Sequence, residues 1–232
     1  MDNIINLCCF PYAGGNISAF DDLSKSIPEN IRLIGLEYPG HGKRFREKIC
    51  CSWDELLIDM AKELEKVSSM ERVIFCGYSM GSLVIYELLQ RNLIKLKPER
   101  VYILSHNPPL ARYIDAGWDC TDDRLIVSKM KKLGGFQNVN EKILSSKYFQ
   151  KMCMQPLRAD LNLLHTYSRK CLEKIDINAT VIFSSRDPSI NNIKEWDLCF
   201  RNVDYHTMGD DHFVLKDHSI AIANIINKRI II

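Results

Sequence analysis

The run Gly77-Tyr78-Ser79-Met80-Gly81 sets a serine between two glycines at the spacing G-x-S-x-G. Residues 72–76 before it read as an apolar strand and residues 82–91 after it as a helix, so the pentapeptide falls on a strand-to-helix turn. A serine hydroxyl is a poor nucleophile at neutral pH and needs both exposure and a base. A tight turn gives the exposure by holding Ser79 in strained backbone at the carboxyl edge of a sheet. Gly77 and Gly81 keep side chains from crowding it. The same turn aims the first amides of the following helix at the point where negative charge would develop. Without those flanks, the pentapeptide would be a Gly/Ser turn with no chemistry.

A nucleophilic serine requires a base, and the base requires a group to orient it. On sheets with such a turn the partners follow in the chain order serine, acid, histidine. Of six histidines, His41 precedes the turn, His106 and His165 sit near or in a long helical stretch, and His206 lies inside a strand pattern. His212 occupies the loop Gly209-Asp210-Asp211-His212-Phe213 directly before the last helix pattern, and His218 falls inside that helix as a surface or packing residue. His212 is therefore the expected base.

The expected acid is Asp187, in Ser184-Ser185-Arg186-Asp187-Pro188 after the apolar run Val181-Ile182-Phe183. Pro188 pushes it towards extended backbone, although Asp-Pro is also a common loop pair. Asp210 and Asp211 are rivals by proximity to His212, but adjacent residues rarely present their side chains to each other in the needed geometry. Two amides would hold the oxyanion: that of Met80, and that of Ala13 from the loop Pro11-Tyr12-Ala13-Gly14-Gly15. A Gly-Gly loop can also cradle phosphate, but neither G-x-x-x-x-G-K-S/T nor G-x-G-x-x-G accompanies it.

Short apolar runs alternate with amphipathic segments, the pattern of β-α units feeding a mostly parallel sheet, so the class is α/β. Strands are predicted over residues 4–10, 31–37, 72–76, 101–105, 179–184 and 203–208, and helices over 17–26, 53–67, 82–91, 190–200 and 214–229. From about 107 to 174 the rhythm breaks and two or three helices are expected. Thr121 would cap one, with Leu125, Ile126, Met130 and Leu133 as its apolar stripe and Gly134-Gly135 as its stop. An insertion between sheet strands most often covers the active-site edge, so this stretch reads as a helical lid. Residues 1–232 then form a single domain with that lid inside it.

At 232 residues the chain can bury a sizeable core. Its formal charge of +2 and lack of a long basic run give no reason to expect nucleic acid. The cysteines number nine, an odd count, and contain no C-x-x-C pair, which argues against a disulfide scaffold and a zinc site. Met1-Asp2-Asn3 lacks the basic start of a signal peptide, and no apolar run approaches the length of a membrane span. A reduced, cytoplasmic monomer is the expectation, with no metal, no cofactor and no membrane partner.

Six motifs in order resemble the stand-alone (type II) thioesterases of polyketide and nonribosomal peptide synthesis. They are Phe10-Pro11-Tyr12-Ala13-Gly14-Gly15, Tyr38-Pro39-Gly40-His41-Gly42-Lys43-Arg44, the Ser79 turn, Pro156-Leu157-Arg158-Ala159-Asp160, Arg186-Asp187-Pro188 with Trp196 downstream, and His212-Phe213. Two departures stand out. Asp210 and Asp211 precede His212 where the family often has glycines, which would favour the imidazolium, and Ser184 or Ser185 replaces a glycine before the acid.

The resemblance implies an α/β-hydrolase fold with a lid. It also implies hydrolysis of acyl groups from the phosphopantetheine arm of acyl or peptidyl carrier proteins, clearing misprimed synthases. Ester and thioester cleavage share the machinery, so the triad residues alone leave open a small-molecule carboxylesterase or lipase of the same fold. A non-catalytic hydrolase-like binding protein would need a broken triad. Transfer of the acyl group to a nucleophile other than water is a further alternative. Carrier proteins are typically acidic, so a basic rim is expected, at Lys43, Arg44 and Arg46 or at Lys129, Lys131 and Lys132.

Overall fold

The computed structural model describes residues 4–67, 72–110, 121–169 and 172–230. Six strands, β1 (Ile5–Phe10), β2 (Ile31–Gly35), β3 (Arg72–Tyr78), β4 (Arg100–Leu104), β5 (Asn178–Phe183) and β6 (Val203–Thr207), pair in the order β2-β1-β3-β4-β5-β6. Every pairing is parallel. All six lie where the apolar runs predict them. The central strands β1 and β3 are buried almost end to end, as a parallel sheet covered on both faces requires, while the edge strands β2 and β6 are half-exposed.

The helices are α1 (Asp21–Ser26), α2 (Trp53–Glu65), α3 (Met80–Gln90), α4 (Asp123–Lys132), α5 (Glu141–Leu144), α6 (Lys147–Phe149), α7 (Gln155–Thr166) and α8 (Leu215–Ile230). Alternate residues of each strand serve opposite faces. Cys8, Phe10, Val73, Phe75, Val101 and Ile103 pack with α2 and α3, whereas Ile5, Leu7, Cys9, Ile74, Cys76 and Leu104 pack with α1 and α8. Helix α3 is buried from Met80 to Leu88, so it lacks the polar face of a surface helix. Among the described residues no helix is long and apolar enough to cross a membrane.

Between β4 and β5 the described residues form α4 to α7 and no strand. These helices carry a third apolar cluster around Ile126, Met130, Met154, Leu157 and Leu161. Residues 147–166 run as one helical path in which a π-helical turn, Gln150–Met154, joins α6 to α7. Trp53 of α2 donates to the Leu163 carbonyl at 2.6 Å, fixing α7 to the body.

Three details differ from the sequence expectation. Asp122, not Thr121, caps α4, its carboxylate accepting the amides of Arg124 and Leu125. Both residues are good N-caps one position apart, and only Asp122 precedes the first helical residue with extended backbone. The predicted helix over 190–200 is a 3₁₀ turn, Ile193–Leu198, entered through Asn192 in left-handed backbone. The predicted helix over 17–26 is a 3₁₀ turn, Ile17–Phe20, leading into α1. Parts of the insertion, residues 111–120 and 170–171, lie outside the described residues, as does the end of the chain at 231–232.

Candidate active site

Ser79 stands between β3 and α3 with φ 49° and ψ −117°, a left-handed backbone in a non-glycine residue. Its amide is tied to the Leu104 carbonyl of the neighbouring strand at 2.8 Å. A Cβ on Gly77 would lie 2.5 Å from the Ser82 backbone, so that position has no room for a side chain. Met80 opens α3, which places its amide among the first-turn donors that a helix leaves unpaired.

The loops after β5 and β6 bring the other two groups together. His212 Nδ1 lies 2.6 Å from Asp187 Oδ2, with both residues buried. Asp187 Oδ1 accepts from the amide and the hydroxyl of Ser189 at 2.9 and 2.6 Å. Burial works against the Asp187 charge, yet the His212 bond and charge, with the two Ser189 donors, leave its pKa below the ordinary 3.8. Neither rival acid is turned to the ring. Asp210 pairs with Arg186 at 2.6 Å, and Asp211 accepts the Phe213 amide at 2.7 Å.

Ser79, His212 and Ala13 line one cavity of about 100 Å³ with Tyr12, Ser105 and His106. The rest of its wall is largely apolar, from Met130 and Leu133 of the insertion, Leu157, Leu161 and Leu164 of α7, and Ile190 and Phe213. It sits at the carboxyl edge of the sheet, where the strand order turns from β1 to β3 and ligands of open α/β sheets bind. The Ala13 amide has no acceptor among the described residues. Such an arrangement can hold an acyl group beside a serine with an imidazole and two amides at hand.

Several residues outside the serine, acid and histidine support the arrangement, and of these Asn107 carried no signal in the sequence. Ser184, standing where a glycine was expected, accepts the Arg186 amide and donates to the Gly209 carbonyl, joining the acid loop to the base loop. Asn107 donates to the Ser189 carbonyl at 2.6 Å and accepts the Asn191 amide, fixing the acid loop from below. Trp196 donates to the His106 carbonyl at 2.9 Å. Burial drives the His106 pKa from the ordinary 6.5 to about 4, against the pull of the Asn107 carbonyl, so that ring is neutral beside the Asp187–His212 pair. Of the other histidines, His165 is exposed, His206 lies in β6, and His218 marks a kink in α8.

Residues 5–230 match the family described as the thioesterase domain. The chain belongs to that family. This thioesterase is 25% identical to thioesterase PikA5 of Streptomyces venezuelae, an alignment spanning 100% of this chain and 83% of the relative. It is 22% identical to the gramicidin S biosynthesis protein GrsT of Aneurinibacillus migulanus, across 97% of this chain and 89% of that one. Its fold superimposes with a TM-score of 0.82 on the type II thioesterase BorB from the borrelidin biosynthetic cluster, at 21% identity, covering 98% of this chain and 93% of that chain.

Within the two candidate basic rims of the thioesterase, some charges are engaged by neighbours and others are not. Arg44 is engaged by Asp59 at 2.6 Å and by Glu47, and the Lys131 ammonium donates to the Val139 carbonyl. Arg46, in contrast, is exposed with its guanidinium 5.3 Å from the centre of the Phe45 ring. Lys151 of the π-helical turn lies 5.9 Å from the same ring. The seam between the 43–48 turn and the insertion also carries the exposed Lys43, Lys48 and Lys147.

Proposed function

We propose that this enzyme is a stand-alone, type II thioesterase that hydrolyses acyl groups from the phosphopantetheine arm of acyl or peptidyl carrier proteins, an editing role in polyketide or nonribosomal peptide synthesis. The observation that carries the reading is the Asp187–His212 pair at 2.6 Å, in a cavity that Ser79 also lines. The relatives' names support the pathway class.

In the mechanism, Ser79 attacks the thioester carbonyl while His212 takes its proton, and Asp187 orients the ring and stabilises the imidazolium. The amides of Met80 and Ala13 hold the oxyanion. The carbon–sulfur bond then breaks, and the thiol, with a pKa near 8.5, leaves with little acid assistance, taking the proton from His212. Water, deprotonated by the same ring, attacks the acyl-serine and releases the free acid and Ser79. Helices α4 to α7 act as the lid that excludes bulk water from these steps. Seven unpaired thiols among the described residues fit the reducing cytoplasm.

The deciding experiment offers the purified enzyme an acyl-carrier protein, acyl-CoA and short nitrophenyl esters. Release of free acid from the carrier, abolished in a folded Ser79→Ala variant, is the expected result. Strong preference for the simple ester, acyl transfer in place of hydrolysis, or wild-type rates in the serine variant would overturn the reading.

A further inference from the structure

Helix α7 presents Leu157, Leu161 and Leu163 inward, and on that same buried face it carries Asp160, which is 2% exposed. A carboxylate on an apolar face costs several kcal/mol unless it is partnered. Its Oδ2 accepts two donors: the backbone amide of Gly14 at 2.7 Å and His41 Nε2 at 3.0 Å. The other ring nitrogen of His41 lies 3.0 Å from the Pro39 carbonyl. The Pro39 carbonyl is an acceptor and so is an ionised Asp160, an arrangement that favours the imidazolium, with both ring nitrogens donating. Burial opposes that charge, but Asp160, the Pro39 carbonyl and Glu37 together raise the His41 pKa above 6.5.

The loop that receives this bond is the one proposed to supply an oxyanion donor. Pro11 is held through its carbonyl by the Tyr38 hydroxyl at 2.8 Å, and Tyr12 through its carbonyl by the Gly15 amide at 2.8 Å. Gly14, at φ +71°, lies so close to α7 that a Cβ there would meet the Leu157 Cβ at 2.7 Å. Its amide is fixed by Asp160. The Ala13 amide between these anchors has no acceptor among the described residues, and Ala13 lines the cavity.

We propose that Asp160, clamped by His41, is a positioning residue for the reaction: by binding the Gly14 amide it fixes the loop that presents the Ala13 amide to the oxyanion, and it ties that loop to the helical insertion. The proposal rests on the acyl-serine reading above. A donor that acts on the oxyanion contributes in the transition state and not in the ground state, so its misplacement lowers kcat and leaves KM in place. Loss of a donor outright costs about 10²–10³ in rate, which bounds the effect.

The test measures kcat and KM for a small acyl-pantetheine thioester in the wild type, Asp160→Asn and Asp160→Ala. Asparagine keeps an acceptor but loses the charge that roughly doubles the strength of the bond. The expected series is a fall in kcat of about threefold to tenfold for asparagine and about 10²-fold for alanine. KM should stay within about twofold in both variants. Affinity for an alkyl boronic acid, which forms a tetrahedral adduct on Ser79, should weaken in parallel. A folded asparagine variant with wild-type kcat and only a lowered Tm would overturn the proposal, whether or not the alanine variant folds. The parallel Ser79→Ala control separates the two ideas: activity that survives it sinks the acyl-serine reading, whereas Ser79-dependent activity with a flat Asp160 series sinks the positioning role alone.

Discussion

Asp187 divides its carboxylate between two tasks, one oxygen 2.6 Å from His212 Nδ1 and the other bound by the amide and hydroxyl of Ser189. The Ser189 hydroxyl also lies 3.3 Å from His212 Nδ1, so the serine braces the acid at the height of the ring it is proposed to orient. Hydrogen bonds on both oxygens hold the carboxylate facing the ring.

Replacing Asp187 by Asn should lower kcat by about 10³–10⁴, because the carboxamide selects the wrong ring tautomer while leaving the shape of the loop. Ser189→Ala removes one charge-assisted hydrogen bond to the Asp187 carboxylate, worth about 1.5–3 kcal/mol, and should lower kcat about tenfold. Steady-state kinetics on an acyl-pantetheine thioester check both. Equal losses in the two variants would mean that Ser189, not Asp187, governs the ring.

The order of these effects follows from positions that the sequence makes legible to different degrees. The central strands announce themselves as continuous apolar runs, and the Ser79 turn, Asp187 and His212 follow the ends of β3, β5 and β6. Ser189 was within reach of local reasoning, since Asp187-Pro188-Ser189 has the residue types of a side-chain-to-backbone turn. Asp160 was not. Its partners Gly14 and His41 lie 146 and 119 residues away, and periodicity reports which face of α7 is buried but not what a carboxylate there will meet. Asp122 against Thr121 is the opposite failure, two equivalent caps side by side, decided by backbone geometry that composition does not encode.

Two buried histidines give stability opposite dependences on pH. His106, at about 4 in the fold against 6.5 when unfolded, binds a proton only in the unfolded chain between those values. Stability should therefore fall as pH drops from 6.5 to about 4, by roughly 3 kcal/mol in total. His41, raised above 6.5, contributes stability that is fully present below 6.5 and is lost as pH rises through its folded value. The Asp187 contribution is lost only as pH falls below 3.8, outside both windows. Thermal melts from pH 4 to 8 should show the acid slope, and a folded His106→Asn variant should flatten it. An unchanged acid slope in that variant would assign the effect elsewhere.

The seam around Phe45 makes a prediction about the macromolecular substrate. Arg46 and Lys151 approach one ring from two different segments, and Cys153, two residues beyond Lys151, sits close enough to Tyr12 of the cavity to help burial raise its phenol pKa. An acidic carrier delivering its arm there would meet positive charge at Arg46 and Lys151, neither of which is in an ion pair among the described residues. Arg46→Glu with Lys151→Glu should raise KM for acyl-carrier protein about tenfold at low salt and leave KM for acyl-pantetheine unchanged. The same rise for both substrates would refute a docking role.

The insertion returns to the body at a buried charge. Glu87 of α3 is fully buried and accepts from Arg169 at 2.7 and 2.9 Å, from Arg91 at 2.6 Å and from the Tyr167 hydroxyl at 2.6 Å. Tyr167 and Arg169 follow α7, so this carboxylate closes the helical insertion onto α3, the helix that begins directly after Ser79. Removing one member of a buried ion pair strands the others, at a cost of about 3–5 kcal/mol. Glu87→Ala should lower Tm by roughly 6–20 °C in a domain of this size. Arg91 is 37% exposed and also reaches Asp54 at the surface, so Arg91→Ala should cost less than about 1 kcal/mol. Differential scanning calorimetry of the two variants settles the contrast: equal shifts would show that the cluster is held by the surface arginine and not by the clamp from the insertion.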